Sequence, residues 1–138
     1  MKENATIYLK GTQCVDGESD ITELVSEGTV ELSEKGLRLC YFESVEQGDD
    51  SQTTLTVVGE TVKITRSGKA EMNMTVQLGK HRSCRYPSPL GTLTIGTYGT
   101  ALSHENGVLK LSYDLDMNAS PMSQNKLEIT YILDKDRG

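Results

Sequence analysis

Tryptophan is absent from these 138 residues and phenylalanine occurs once, so an apolar core must come from Leu, Val, Ile, Met and the six Tyr. No apolar run approaches the length that a membrane helix needs, which argues against a spanning segment. Only three prolines occur, against 13 glycines scattered along the chain. The cysteines, Cys14, Cys40 and Cys84, are odd in number and widely spaced, which argues against a disulfide framework and against a Cys-x-x-Cys metal knuckle. They read as free thiols. The opening MKENATIYLKGT goes directly into a strand-like pattern without the apolar core of a secretory signal, so the expected location is cytoplasmic.

The length fits a single domain over residues 1–138 with one core. Net charge is -6 but unevenly spread. Residues 1–60 carry four Lys or Arg against thirteen Asp or Glu, a net of -9, whereas residues 61–85 carry six against one, a net of +5. A basic block in an acidic chain suits an anionic ligand or partner, or a facing acidic strand of the same sheet. Nucleic acid is disfavoured, because a pI near 4.9 implies long-range repulsion of phosphate and few aromatics accompany the basic block.

Helical periodicity is missing as well, and alternation with period two takes its place. Ala5, Ile7 and Leu9 alternate with polar neighbours, as do Leu37, Leu39 and Tyr41, then Leu55 with Val57, and Val62 with Ile64. Ala70, Met72, Met74, Val76 and Leu78 share one face, followed by Leu93 with Ile95, by Leu109 to Met117, and by Leu127 to Leu133. Turn signals separate them at Gly36, Gly48-Asp49-Asp50, Gly59-Glu60, Ser67-Gly68, Gly79, Pro87 to Gly91, Glu105-Asn106-Gly107 and Asn118 to Asn125. The segment from Ile21 to Glu34 reads as irregular. Nine or ten short strands without long crossovers imply an all-β antiparallel meander, and closure into a barrel removes its edges.

Turn parity predicts a three-residue loop, Arg66-Ser67-Gly68, pairing Ile64 with Ala70 and placing Arg66 at the barrel rim. The stretch KHRSCRYP, Lys80 to Pro87, breaks the apolar alternation. With Gly79-Lys80 as a two-residue turn, the inward set is His81, Ser83 and Arg85. With one residue more, it is Arg82, Cys84 and Tyr86. Either register sends an arginine inward.

Several motifs from about residue 50 onward resemble a known family. They are Ile64-Thr-Arg66-Ser-Gly68, the Gly79 to Tyr86 strand with Pro89-Leu90-Gly91, Gly107-x-Leu109-x-Leu111-x-Tyr113, and Leu127-x-Ile129-x-Tyr131. In order and spacing they resemble the small YwiB-like proteins of Gram-positive bacteria, a calycin-type β-barrel family of unknown function. The resemblance implies a lipocalin-like barrel and no particular activity.

The leading chemistry is an anion site in or at the mouth of the barrel, built from Arg66, Arg82, Arg85, Tyr86, Tyr113 and Tyr131, with Met and Leu side chains around an apolar tail. Its bland counterpart is an arginine that reaches water at an open end or pairs with an acid of the 21–34 segment. No catalytic residue is assigned. Cys84 has cationic neighbours, but alternation turns the adjacent Arg85, and His81, to the other face, leaving the thiol as a small buried hydrophobe. Neither His81 nor His104 has metal-ligand spacing, and no cofactor motif is present. The second reading is a protein-interaction or homodimerisation module with no ligand.

Overall fold

Antiparallel alternation along nearly the whole chain becomes ten strands in the computed structural model, which describes residues 2–45, 49–67 and 72–136. They are β1 (Lys2–Val15), β2 (Glu18–Ser33), β3 (Gly36–Val45), β4 (Asp49–Val58), β5 (Thr61–Ser67), β6 (Met72–Gln77), β7 (His81–Ser88), β8 (Gly91–Glu105), β9 (Val108–Met117) and β10 (Ser120–Leu133). Each pairs antiparallel with its neighbour in sequence, except β6 and β7, and β1 also pairs with β10. The result is an up-and-down meander curled into a nearly closed barrel. No helix among the described residues is long and apolar enough to cross a membrane.

Alternation then fills the interior. Leu39 on β3 lies between Val30 on β2 and Leu55 on β4, and Leu55 faces Ile64 on β5. Leu109 on β9 faces Ile129 on β10, which faces Leu9 on β1. Ile7, Leu39, Leu55, Leu109 and Ile129 are fully buried and belong to one continuous cluster. Each such side chain contributes roughly 1.5–3 kcal/mol by leaving water.

Three local expectations are corrected. The segment from Ile21 to Glu34 is not irregular, since most of it lies in β2, a 16-residue strand. It starts from a hairpin at Asp16-Gly17, whose φ angles of 51° and 81° suit the primed turn that Asp-Gly favours. The hairpin after β5 keeps the expected parity but not the three-residue loop. Arg66 pairs with Met72 and Ile64 with Met74, so Arg66 and Ser67 are strand residues; Gly68 and Ala70 lie outside the described residues. The turn signal at Asn118 to Asn125 shrinks to Asn118-Ala119, both at positive φ, and β10 begins at Ser120. Gly48 lies outside the described residues.

One glycine is required by close approach. Where β2 begins to pair with β3, a Cβ at Gly28 would land on the carbonyl oxygen of Cys40 and press on Ile7 Cγ1. Backbone cannot yield there as a flexible side chain would. Gly28→Ala should therefore destabilise the fold by roughly 3 kcal/mol or more, whereas Gly11→Ala, with only Leu9 Cδ2 at van der Waals distance, should cost far less. Urea melts of the two variants check this contrast.

Candidate functional site

The strand KHRSCRYP sits where the first and last strands of the sheet order, β6 and β7, meet without a ladder. Gln77 bridges Lys80 around a Leu78-Gly79 turn, with Gly79 at φ 75°, so the turn lies one residue earlier than Gly79-Lys80. Beyond it β6 and β7 splay apart. Across β7 and β8, Arg82 pairs with Thr97, Cys84 with Ile95, and Tyr86 with Leu93. Thr97 is fully buried, so the inward register is Arg82, Cys84 and Tyr86.

That face turns to the open edge of β6. The Thr97 hydroxyl donates to the carbonyl of Thr75, and the Tyr86 hydroxyl is hydrogen-bonded to the backbone of Asn73. Arg82 Nη1 donates to Gln77 Oε1 at 3.1 Å and its side chain is exposed. Leu78 N–H donates to the carbonyl of Glu60 and Gly79 N–H to that of Gly99, both at 2.9 Å. The cavity left between β6 and β7 is about 10 Å3, space for one water at most. Side chains and turn amides thus seal a seam that no backbone ladder closes.

The six candidate residues do not converge. Arg66 is half-buried on the inward face of β5, opposite Thr53 on β4. Arg82 belongs to the seam, and what it meets is a neutral amide oxygen. Arg85 is exposed and shares the outer face with His81 and Ser83, so the register that sends it inward is corrected. Tyr86 seals the seam. Tyr113 lines a pocket of about 240 Å3 at the mouth, together with Gln13, Asp20, Thr22 and Asn125. Tyr131 sits elsewhere, its hydroxyl 2.7 Å from His104 Nε2.

His81 is absorbed by a pair on the outer face. Its Nε2 lies 2.8 Å from Asp116 Oδ2, over Gly96, where a Cβ would collide with both groups. With the imidazole side chain 54% exposed, such a pair adds about 0–1 kcal/mol at most. Cys84 is partly buried on the opposite face, and all three cysteines are free. Among the described residues no three His, Cys, Asp or Glu side chains gather as a metal site.

A feature that composition did not reveal is the free edge of β2. Residues 18–31 pair with β1, but only 28–33 pair with β3. The cause is local. Ser26 Oγ accepts the Phe42 N–H at 3.1 Å and donates to the Glu27 carbonyl at 2.8 Å, ending the ladder with a side chain. From Glu18 to Glu27 the outer backbone edge has no strand partner among the described residues. Asp16-Gly17 is the sequence signal that a hairpin begins there.

Two outcomes follow for the seam and its tyrosines. Thr97→Val should cost about 1–3 kcal/mol, because the Thr75 carbonyl loses its donor, and amide exchange should quicken in β6 and β7. Burial pushes the hydroxyls of Tyr86, Tyr113 and Tyr131 above their ordinary value. A group raised in the folded state contributes stability that is fully present below about pH 10 and is lost as pH rises through the folded value. Urea melts at about pH 9 and about pH 11 should show this loss. Tyr113→Phe, with the most buried of the three rings, should flatten it.

Comparisons with known proteins agree with this architecture. The crystallographically solved ywiB protein from Bacillus subtilis superposes with a TM-score of 0.74 at 22% identity, covering 94% of this chain and 91% of that one. No curated protein matches. The model of a domain of unknown function, DUF1934, matches residues 7–129, and the chain belongs to that family.

Proposed function

We propose that this domain is a cytosolic interaction module that takes an extended segment of a partner as an added strand on the free edge of β2. The observation that carries this reading is the ten-residue edge from Glu18 to Glu27, paired on one side only. Strand addition to such an edge supplies affinity through main-chain hydrogen bonds and selectivity through alternate side chains. Natural sheets rarely leave a long edge open, because it templates association. Three free thiols fit a reducing compartment.

The small-molecule reading has less support. An anion inside a lipocalin-like barrel needs several of the candidate groups around one space, and Arg66, Arg82 and Arg85 lie on different strands or faces. The mouth pocket that includes Tyr113 is lined by Asp20, which opposes an anion, and by Lys126, with no arginine. A ligand there would be polar and neutral overall.

Selection of random ten-residue peptides on the purified domain, followed by amide exchange, tests the module. Binders should slow exchange in residues 18–27 and leave β7 and β8 unchanged. Selected peptides that protect only other strands, or a selection that returns none, would sink the reading.

A further inference from the structure

The chemistry of the edge defines its occupant, an inference that rests on the strand-addition reading. Four acids, Glu18, Asp20, Glu23 and Glu27, fall within ten residues that contain no Lys or Arg. All four are exposed. Across the β1 ladder, Glu18 faces Val15, Asp20 faces Gln13 and Glu27 faces Thr6, so three of the four lie opposite uncharged residues. Only Glu23 faces a cation, Lys10, which is shared with Glu128 on β10. The edge therefore presents negative charge that its own sheet leaves largely uncompensated.

Ile21 and Val25 stand on the same outer face as Glu23, 59% and 65% exposed. Beside them runs a groove of about 300 Å3 lined by Tyr8, Lys10, Glu23, Val25, Glu128 and Thr130. Acids alone would serve to keep like edges apart. Two large exposed apolar side chains flanking an acid do the opposite, since they offer contact area to whatever lies alongside.

We propose that β2 accepts a basic, extended segment of another protein, with cations opposite Glu18, Asp20 and Glu23 and apolar side chains opposite Ile21, Leu24 and Val25. Opposite charges directly across a strand pair favour association, whereas like charges oppose it. A second copy of this chain is the wrong occupant on that ground, because β2 against β2 would bring eight acids together without a lysine or arginine from either edge. Ten residues of edge span about 33 Å, so a segment of eight to ten residues in extended form fills it. Alternation divides the segment between two faces. On the outer face it carries an apolar residue, a cation and a second apolar residue at every other position, matching Ile21, Glu23 and Val25.

Three synthetic ten-residue peptides with the same apolar positions test this, carrying lysine, glutamine or glutamate at the remaining ones. Affinity is read by fluorescence anisotropy, place by amide exchange, and self-association by sedimentation. The lysine peptide should protect residues 18–27 and bind at least about tenfold tighter than the glutamine peptide, as expected for several cross-strand charge pairs. Its binding should weaken as salt rises. The double variant Asp20→Lys with Glu27→Lys changes exposed side chains opposite Gln13 and Thr6, brings the edge from four negative charges to none net, and should abolish the preference for the lysine peptide while keeping the melting curve. Equal protection of 18–27 by all three peptides overturns the basic partner and leaves strand addition standing. A dimer joined through 18–27 overturns it in favour of a second copy. No protection of 18–27 by any peptide overturns both.

Discussion

Ten residue pairs, from Ala5 with Leu133 to Cys14 with Gln124, join the first strand to the last, and this ladder determines what every other strand must do. Once β1 is held between β2 and β10, a meander with short turns has to curl, because both of its ends are tied at one place. Curling brings the inward faces together, and Leu9, Ile129 and Leu109 meet across three strands. Hydrogen bonding and burial are thus set by the same pairing. Stability gained on the inward face keeps the ladder in register, since a slip by one residue would send Ile7 and Ile129 outward.

Curling does not finish as a ladder. β6 and β7 are joined by the tight Leu78-Gly79 turn, yet they pair only at Gln77 and Lys80. Backbone groups on β6 that a neighbouring strand would satisfy instead meet the Thr97 hydroxyl and Tyr86. Buried polar groups left without partners cost about 1–3 kcal/mol each, so these side chains replace a strand at a few points instead of along its length. Gly99 has a related role. A Cβ there would press on the backbone of Gln77 and Leu78, and its absence lets β8 come close enough to take the turn.

Much of this architecture was legible from alternation alone. The barrel, the inward faces of β3, β5 and β9, and the separation of Cys84 from His81 all follow from a period of two. The legible part ends where both faces of a strand mix apolar and polar residues. In β2, Ile21 and Val25 face outward while Leu24 and Val30 face the core, so no single stripe marks it as a strand. The inward face of β7 was equally opaque, because a two-residue turn at Leu78-Gly79 keeps the parity of one at Gly79-Lys80, and only where β6 and β7 splay apart does the pairing of Arg82 with buried Thr97 turn Arg82, Cys84 and Tyr86 inward. The site was less legible than the fold. Arginine reads as an anion ligand in sequence, but Arg82 meets the neutral amide oxygen of Gln77.

Strand edges without a neighbouring ladder occur both at the β6–β7 seam and along β2, and the barrel treats them differently. At the seam, Thr97, Tyr86 and Arg82 reach across to β6 and close the gap to about the size of one water. At β2, Ser26 satisfies Phe42 and Glu27 and thereby stops β3 from continuing along the strand, so the same kind of hydroxyl contact that closes one edge opens the other. The opened stretch then carries acids that keep it from pairing with its like, and apolar side chains that need cover. Those two properties conflict in an edge that is only to be protected. They agree in one that admits a partner of opposite charge.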